Sequence, residues 1–297
     1  MITHYSEFSG LGGTDHGAHF VGTGTGDQFS PLVETTDAAN HDADACAQHA
    51  LNFPDARHYQ ADVTKLDMTT MPRVDYFSGS PACPAWTDAN GVRRDFDRVN
   101  AEQQALFEMP DAKHDDPKLR RRIKQYKRSR LLMQEIIRYL RAMIDRNPND
   151  PVLIGMVENV IQCRLWSEWD TWIGEFHAMG YHVKVIALNA MHARPIRAPW
   201  AAQSRDRLFV GFWHRRIGRH PDWDKWLRPT AWCDTCNQFV QAVQVFKRHG
   251  ADMGRYRSQY VYRCPQLRCR GREVFPTVVP ALTAIDCCTP GQTVTVR

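Results

Sequence analysis

The chain has no stretch near the roughly eighteen consecutive apolar residues that a membrane-spanning helix needs, and its start shows no basic segment leading into an apolar run. Neither membrane insertion nor secretion is expected, and the expected compartment is the cytoplasm. Cysteine is sparse, with nine residues in 297 and six of them after position 230. That number and placement exclude a disulfide scaffold, and a reducing compartment leaves thiols available for chemistry or metal. Low-complexity tracts are lacking as well, so the composition is that of a folded chain. What the chain does have is a mildly basic balance, with net charge +5 and a pI near 8.7. A polyanionic partner is permitted by that balance but not established. Its length suits one large α/β core and a smaller module.

The first residues, Ile2 to Phe8, predict a strand, and Ser9-Gly10-Leu11-Gly12-Gly13 follows at once. Glycines there allow a tight corner and close approach of a ligand to the backbone, although the dinucleotide fingerprint is not matched. Gly22 to Gly26 reads as a flexible loop, residues 31–36 as a strand, 43–51 as a helix, and Ala61-Asp62-Val63 as the end of an extended segment. Another strand runs over 74–78. This alternation predicts an α/β fold with a mostly parallel, Rossmann-like sheet. Ligands of such sheets bind beyond the carboxyl ends of the strands, where Gly10, Asp62 and Cys83 are expected.

In Ser80-Pro81-Ala82-Cys83-Pro84-Ala85-Trp86 a cysteine is fixed between two prolines just past a strand. Proline pins φ and cannot continue a central ladder, so Cys83 is a candidate nucleophile, with a buried, inert thiol as its rival. A polar excursion over 91–116 precedes a helix from Pro117 to about Ile144, with apolar positions Ile123, Leu131, Ile136, Leu140 and Met143. Its basic residues Arg120, Arg121, Arg122, Lys124, Lys127, Arg128 and Arg130 suit either phosphates or plain solvent. The apolar strand 151–157 delivers Glu158-Asn159-Val160 to its end, where a carboxyl group can be tuned as an acid. A helix carrying Trp166, Trp169, Trp172 and Phe176 and a strand over 183–188 follow. In Gln203-Ser204-Arg205-Asp206-Arg207, strand alternation would put Gln203, Arg205 and Arg207 on one face. Arginine forks suit a base carbonyl, a phosphate or a salt-bridge network.

After Trp232 the composition changes. Cys233-Asp234-Thr235-Cys236 and Cys264-Pro265-Gln266-Leu267-Arg268-Cys269 form two knuckles able to hold a structural zinc, with Cys269 the least regular ligand because of its longer spacing. Between them, Tyr256, Tyr260 and Tyr262 alternate with Arg255, Arg257 and Arg263, a pattern read as a surface for stacking bases or holding phosphates. A zinc-stabilised packing module without nucleic acid is the competing reading.

Taken in order, Phe8-Ser9-Gly10-Leu11-Gly12-Gly13, Ser80-Pro81-Ala82-Cys83, Glu158-Asn159-Val160 and Gln203-Ser204-Arg205-Asp206-Arg207 resemble the motifs of DNA (cytosine-5) methyltransferases over residues 4–212. The similarity is to a divergent phage and actinobacterial-like branch, which implies a bacterial or phage-infected cytoplasm. It implies S-adenosyl-L-methionine as cofactor, with Phe8, Gly10, Leu11 and Gly12 at its loop, Asn40 and His41 where the family carries a ribose-binding acid, Asp62 near the adenine amino group, and Trp86 over the methionine end. Cys83 matches the nucleophile, Glu158 the glutamate that engages the cytosine ring, and Arg205 with Arg207 the active-site arginines. Beyond the missing ribose acid, further features depart from the family pattern: Ala82 precedes the cysteine where a second proline is common, Pro84 follows it where glutamine is usual, and the family's closing segments are not recognisable before Arg297.

The resemblance implies a catalytic domain over 1–228 and a Cys-rich module with an incomplete target-recognition region over 229–297. Cys83 would add to C6 of a cytosine flipped out of double-stranded DNA, and C5 would then take the methyl group. Two alternatives stand beside this. One is a catalytically weak or inactive DNA-binding relative; the other is one subunit of a split enzyme that a second subunit completes. A zinc-stabilised interaction module on an unrelated α/β scaffold is a further rival.

Overall fold

A computed structural model describes residues 1–82, 117–280 and 282, with side chains of the helix that opens at Pro117 described at Arg128 and from Leu131 onward. Cys83 and Trp86, the excursion over 91–116 and the other basic positions of 120–130 therefore lie outside the described residues or side chains. The chain divides into two compact units, Met1–Ala187 with Arg207–Pro221, and Leu188–Asp206 with Asp222–Arg297.

The first unit is built on β1 (Ile2–Glu7), α1 (Gly13–His19), β2 (Gly22–Thr23), β3 (Ser30–Pro31), β4 (Val33–Asn40), α2 (Ala43–Asn52), β5 (Arg57–Gln60) and β6 (Tyr76–Gly79). It continues through α3 (Pro117–Arg146), β7 (Ile154–Asn159), α4 (Trp169–Ala178), β8 (Tyr181–Asn189) and β9 (Asp206–His214). Seven strands form one sheet in the order β5-β4-β1-β6-β7-β9-β8. The pairs from β5 to β7 are parallel, and β7 pairs antiparallel with β9. The chain thus builds outward from β1 through β4 to β5, then returns to β6 on the other flank. That reversal is the topological switch point at which open α/β sheets bind ligands.

Position in the sheet explains the residues. β1 is central, and His4, Tyr5, Ser6 and Glu7 are all buried. Among the described side chains of α3, Leu132, Met133, Ile136, Ile137, Tyr139, Leu140 and Met143 face the core, whereas Leu131, read from sequence as apolar-facing, is 56% exposed. Trp172 of α4 is fully buried and donates from Nε1 to the Met133 carbonyl at 2.9 Å. Truncating such a ring to alanine typically costs about 3–5 kcal/mol. Gly155 is required by close packing, since a Cβ there would lie 2.0 Å from the Phe212 ring. The glycine-rich stretch 22–26 corrects the loop reading: Gly22 and Thr23 pair with Pro31 and Ser30 in a two-stranded hairpin.

A buried polar network ties β1, β4, β6 and α1 together. His4 Nε2 pairs with Ser78 Oγ at 2.8 Å and Nδ1 with Thr35 Oγ1 at 3.0 Å, while Ser6 Oγ donates to Asp15 Oδ2 at 2.9 Å. Burial pushes the His4 imidazole down to about 4 despite the opposing pull of Asp15, so it serves at neutral pH as an uncharged hydrogen-bonding hub.

The second unit contains α5 (Trp223–Leu227), β10 (Thr230–Cys233), β11 (Gln238–Gln241), β12 (Val243–Phe246), β13 (Tyr260–Arg263) and β14 (Glu273–Pro276). Its five strands form an antiparallel sheet in the order β11-β10-β14-β13-β12. Composition alone marks the Cys-rich strands and gives no sign that Leu188–Asp206 belongs with them. Hydrogen bonds join that segment to the unit: Asp206 Oδ1 accepts from Tyr256 N at 3.1 Å and Tyr260 Oη at 3.2 Å. Among the described residues, no helix is long and apolar enough to cross a membrane.

Candidate active site

The switch point holds a cavity of about 180 Å³ at the carboxyl ends of four parallel strands. Phe8 follows β1, Asn40 and His41 end β4, Ala61, Asp62 and Val63 follow β5, and Ser80 and Ala82 follow β6; Arg128 and Leu132 of α3 complete the lining. Four of the residues read from sequence as cofactor-binding therefore meet in one place. Gly10, Leu11 and Gly12 do not line the cavity, although they build the corner that leads from Phe8 into α1.

That corner is conformationally demanding. Phe8 sits at φ 61, a left-handed geometry that costs a residue with a side chain about 1–2 kcal/mol. Gly12 sits at φ +90 with its Cα against Phe53, whose ring would be 2.6 Å from any Cβ. Ser9 N donates to the Ala39 carbonyl at 3.1 Å, which locks the corner to the end of β4. The strain is thus concentrated at the corner that leads away from the cavity-lining Phe8.

Asn40 and Asp62 are already engaged. Asn40 Oδ1 accepts from Asp42 N at 3.0 Å, and Asp42 caps α2 by accepting from Ala45 N at 2.8 Å. Asn40 thus presents no carboxylate to a ribose. Asp62 Oδ1 accepts from Thr64 N at 3.2 Å and Thr64 Oγ1 at 2.9 Å, and Oδ2 pairs with Arg128 at 3.1 Å. Burial alone would raise the Asp62 carboxyl, but the Thr64 and Arg128 contacts outweigh it and hold it below the ordinary range. Arg128, one of a run read from sequence as facing either phosphates or solvent, is spent at least partly on Asp62.

Glu158, the penultimate residue of β7, is bonded to the cavity-lining Ser80. Ser80 Oγ donates to Glu158 Oε2 at 3.2 Å, and Arg207 Nε lies 2.8 Å from Glu158 Oε1. Sheet register dictates both contacts: Gly79 lies opposite Val157 in the parallel pair, and Glu158 opposite Phe209 in the antiparallel one. One residue on, Asn159 Nδ2 donates to the Pro81 carbonyl at 3.3 Å. The Ser80-Pro81 segment that leads to Cys83 is therefore anchored on Glu158 and Asn159.

Arg205 is placed differently. β9 begins at Asp206, so Gln203 and Arg205 precede the strand and do not share its alternation; Arg205 is exposed. Its backbone is clamped within the second unit, with N donating to Asn189 Oδ1 at 3.1 Å and its carbonyl accepting from Ala190 N at 2.9 Å. Sequence reasoning missed Ser80, which both lines the cavity and binds Glu158. Its place between Gly79 and Pro81, at a strand's carboxyl end, was the available signal.

In the second unit, Cys233, Cys236, Cys264 and Cys269 bring their sulfurs within 4.8 Å of one another. Sγ···Sγ distances are 3.8 Å for Cys233–Cys269 and 3.9 Å for Cys236–Cys264. Four thiolates about 2.3 Å from a tetrahedral zinc have edges of about 3.8 Å, so the cluster fits such an ion. The longer Cys264–Cys269 spacing is accommodated by a 3₁₀ turn over Leu267–Cys269 and a left-handed Arg270 at φ 50. The tyrosine reading is corrected: Tyr260 and Tyr262 are buried in the core around this cluster and Tyr256 is half-buried against it, so they do not form a stacking surface.

Residues 2–109 match the family model of C-5 cytosine-specific DNA methylase, which is less than half of the chain. No curated protein matches the chain. Among solved structures, the Dnmt2 methyltransferase of S. pombe is similar over 75% of this chain and 51% of that one, at 14% identity and a TM-score of 0.47. A DNMT2 triple mutant of Spodoptera frugiperda is similar over 75% and 53%, at 16% identity and a TM-score of 0.48. A putative DNA modification methyltransferase encoded within an E. coli prophage is similar over 89% and 71%, at 15% identity and a TM-score of 0.45. The chain spans about half the length of the two Dnmt2 structures.

Proposed function

We propose that this chain is a DNA (cytosine-5) methyltransferase that uses S-adenosyl-L-methionine, with double-stranded DNA as its partner. The observation that carries the reading is the position of Ser80, which lines the cavity at the switch point and donates to Glu158, itself paired with Arg207. The cavity read as the cofactor's and the carboxyl group read as the base's are thus joined through Ser80, and the family match over residues 2–109 includes the Cys83 segment.

In this reading Phe8, Asn40, His41 and Asp62 hold the cofactor, with Gly10, Leu11 and Gly12 shaping its loop and Trp86 at the methionine end. S-adenosyl-L-methionine supplies an electrophilic methyl group. The Cys83 thiolate adds to cytosine C6, and the displaced electron pair makes C5 nucleophilic. Glu158 binds the N3 and exocyclic amino edge, and Arg207 orients Glu158 while Arg205 serves the base carbonyl. After methylation C5 loses its proton and the Cys83 sulfur leaves. The base must be flipped from the duplex for this geometry to be reached. A structural zinc on Cys233, Cys236, Cys264 and Cys269 would hold the 229–297 module.

A second reading, in which a further subunit completes the enzyme or the chain only binds DNA, is favoured by one observation: Asn40 stands at the end of β4 with its oxygen already bonded to Asp42 N. Incubation with labelled S-adenosyl-L-methionine and mixed-sequence duplex, followed by nucleoside analysis, separates these outcomes. Label in 5-methylcytosine from the chain alone is expected. Label only with a protein encoded beside it would mean a split enzyme, and none in either case would leave DNA binding without catalysis.

A further inference from the structure

Three aromatic side chains stand exposed on one face of the second unit's sheet. Trp232 of β10 is 42% exposed, Phe239 of β11 65% and Phe275 of β14 58%. Their alignment follows from register: Trp232 lies directly opposite Phe239 in one antiparallel pair and opposite Phe275 in the other. Residues one step along each strand, Ala231, Cys233, Val240 and Val274, are buried around the cysteine cluster. Strand alternation therefore turns the aromatic set outward as a continuous row across three adjacent strands.

Among the described residues, the row packs into no part of the unit's buried core. The core is filled from the other face by Tyr260, Tyr262 and the four cysteines. Trp232 and Phe239 meet edge to face with centroids 5.1 Å apart, and both side chains remain exposed. With strands about 4.8 Å apart, the row spans about 10 Å, enough for two or three consecutive bases. Contiguous exposed aromatics on a soluble surface mark a binding site.

Charge decides among occupants. Residues 229–280 carry eight Lys and Arg against three Asp and Glu. Arg257 stands over the Phe275 ring at 5.6 Å, and exposed Arg263 lies opposite Glu273 one position along β14 from that ring's neighbour. Aromatic faces flanked by guanidinium groups match a polyanion that offers π-surfaces, whereas an apolar protein partner would gain nothing from the basic excess.

We propose that Trp232, Phe239 and Phe275 form a stacking platform for the unpaired bases of a single-stranded nucleic acid, with Arg257 and its basic neighbours holding the phosphates. The site goes beyond methyl transfer and does not depend on it, because it lies wholly within the second unit. Stacking on an aromatic side chain contributes about 1–3 kcal/mol per base, so each ring removed should weaken binding by roughly five- to a hundredfold.

Fluorescence anisotropy of the full-length chain with labelled twelve-nucleotide dT and rU single strands and a matched duplex tests this. Expected are binding of at least one single strand, quenching of tryptophan emission that is lost in Trp232→Ala, and progressive weakening through Phe239→Ala and Phe275→Ala. Retained metal content and circular dichroism would certify the folds of these variants, whose altered side chains are exposed. The Trp232→Phe variant should restore most of the affinity. Single-strand binding that survives the triple alanine variant overturns the platform, as does an aromatic-dependent self-association in sedimentation without nucleic-acid binding. Methylation of duplex DNA by the parent chain is scored separately from single-strand binding, so failure of the methyltransferase reading and failure of this one are separately visible.

Discussion

Arg207 Nε lies 2.8 Å from Glu158 Oε1 across an antiparallel strand pair, while Ser80 occupies the other carboxyl oxygen at 3.2 Å from the parallel neighbour. Glu158 is 30% exposed and Arg207 21% at their side chains. Such a half-buried pair contributes modestly to stability but fixes the orientation of the carboxyl group. In the methyltransferase reading, the Arg207→Ala variant should melt close to the parent while losing at least about a hundredfold in kcat, the scale of one preorganised transition-state contact. Because a lysine lacks the planar fork, Arg207→Lys should rescue little. An equilibrium cofactor-binding measurement unchanged by both variants would place the loss on the base side of the site. Undiminished turnover in Arg207→Ala would remove it from the machinery.

The Ser80-Pro81 segment is held by Glu158 and Asn159, and Cys83 follows two residues later. In the covalent reading, Cys83→Ser should abolish methylation of cytosine yet keep the parent's melting temperature and duplex affinity. A variant that methylates at the parental rate would show that the nucleophile has been misassigned.

Much of the scaffold was legible because hydrophobic pattern and strand order act locally. The parallel strands, α2 and the Glu158 strand end follow from short apolar runs bounded by glycine, proline or polar residues. Of the residues that the switch-point rule put at strand ends, Asp62 lines the cavity and Gly10 does not, whereas Phe8, Asn40 and His41 were named only through the family resemblance. Ser80 escaped notice because a single hydroxyl carries no periodic signal. The aromatic surface was misjudged for a related reason: Tyr260 and Tyr262 are two apart and so share a face, but which face is decided by pairing with β14, where Val274 is buried opposite Tyr262. Trp232, Phe239 and Phe275 are far apart in sequence, and only register brings them into one row.

Metal analysis of protein purified without chelators should give about one zinc per chain. The four thiols provide a closed tetrahedral set, and the module's core contains three of the four cysteines as buried residues. Chelation, or Cys269→Ala, should unfold the second unit first, seen as loss of the buried tyrosines' near-ultraviolet dichroism. Metal-free protein with an intact spectrum would rule out a structural role for the ion.

Glu7, at the end of β1, is fully buried, and its Oε2 has no hydrogen-bond partner among the described residues; Oε1 accepts from Tyr5 Oη at 3.4 Å. Burial, reinforced by the nearby Glu135 charge, pushes its carboxyl from 4.5 up to about 8. The unfolded chain releases this proton near 4.5 and the folded chain retains it until about 8, so between those values the native state binds more protons. Stability should therefore be greatest below the lower value and fall as pH rises through this window, by at most about 1.4 kcal/mol per pH unit for one proton, then level off. Glu7→Gln keeps the shape of the neutral acid without its ionisation. Urea denaturation from pH 5 to 9 should show the variant gaining on the parent steadily up to about pH 8, with no further divergence above it. Parallel curves across that range would mean that Glu7 is already ionised in the folded protein, and that a partner for Oε2 compensates its burial.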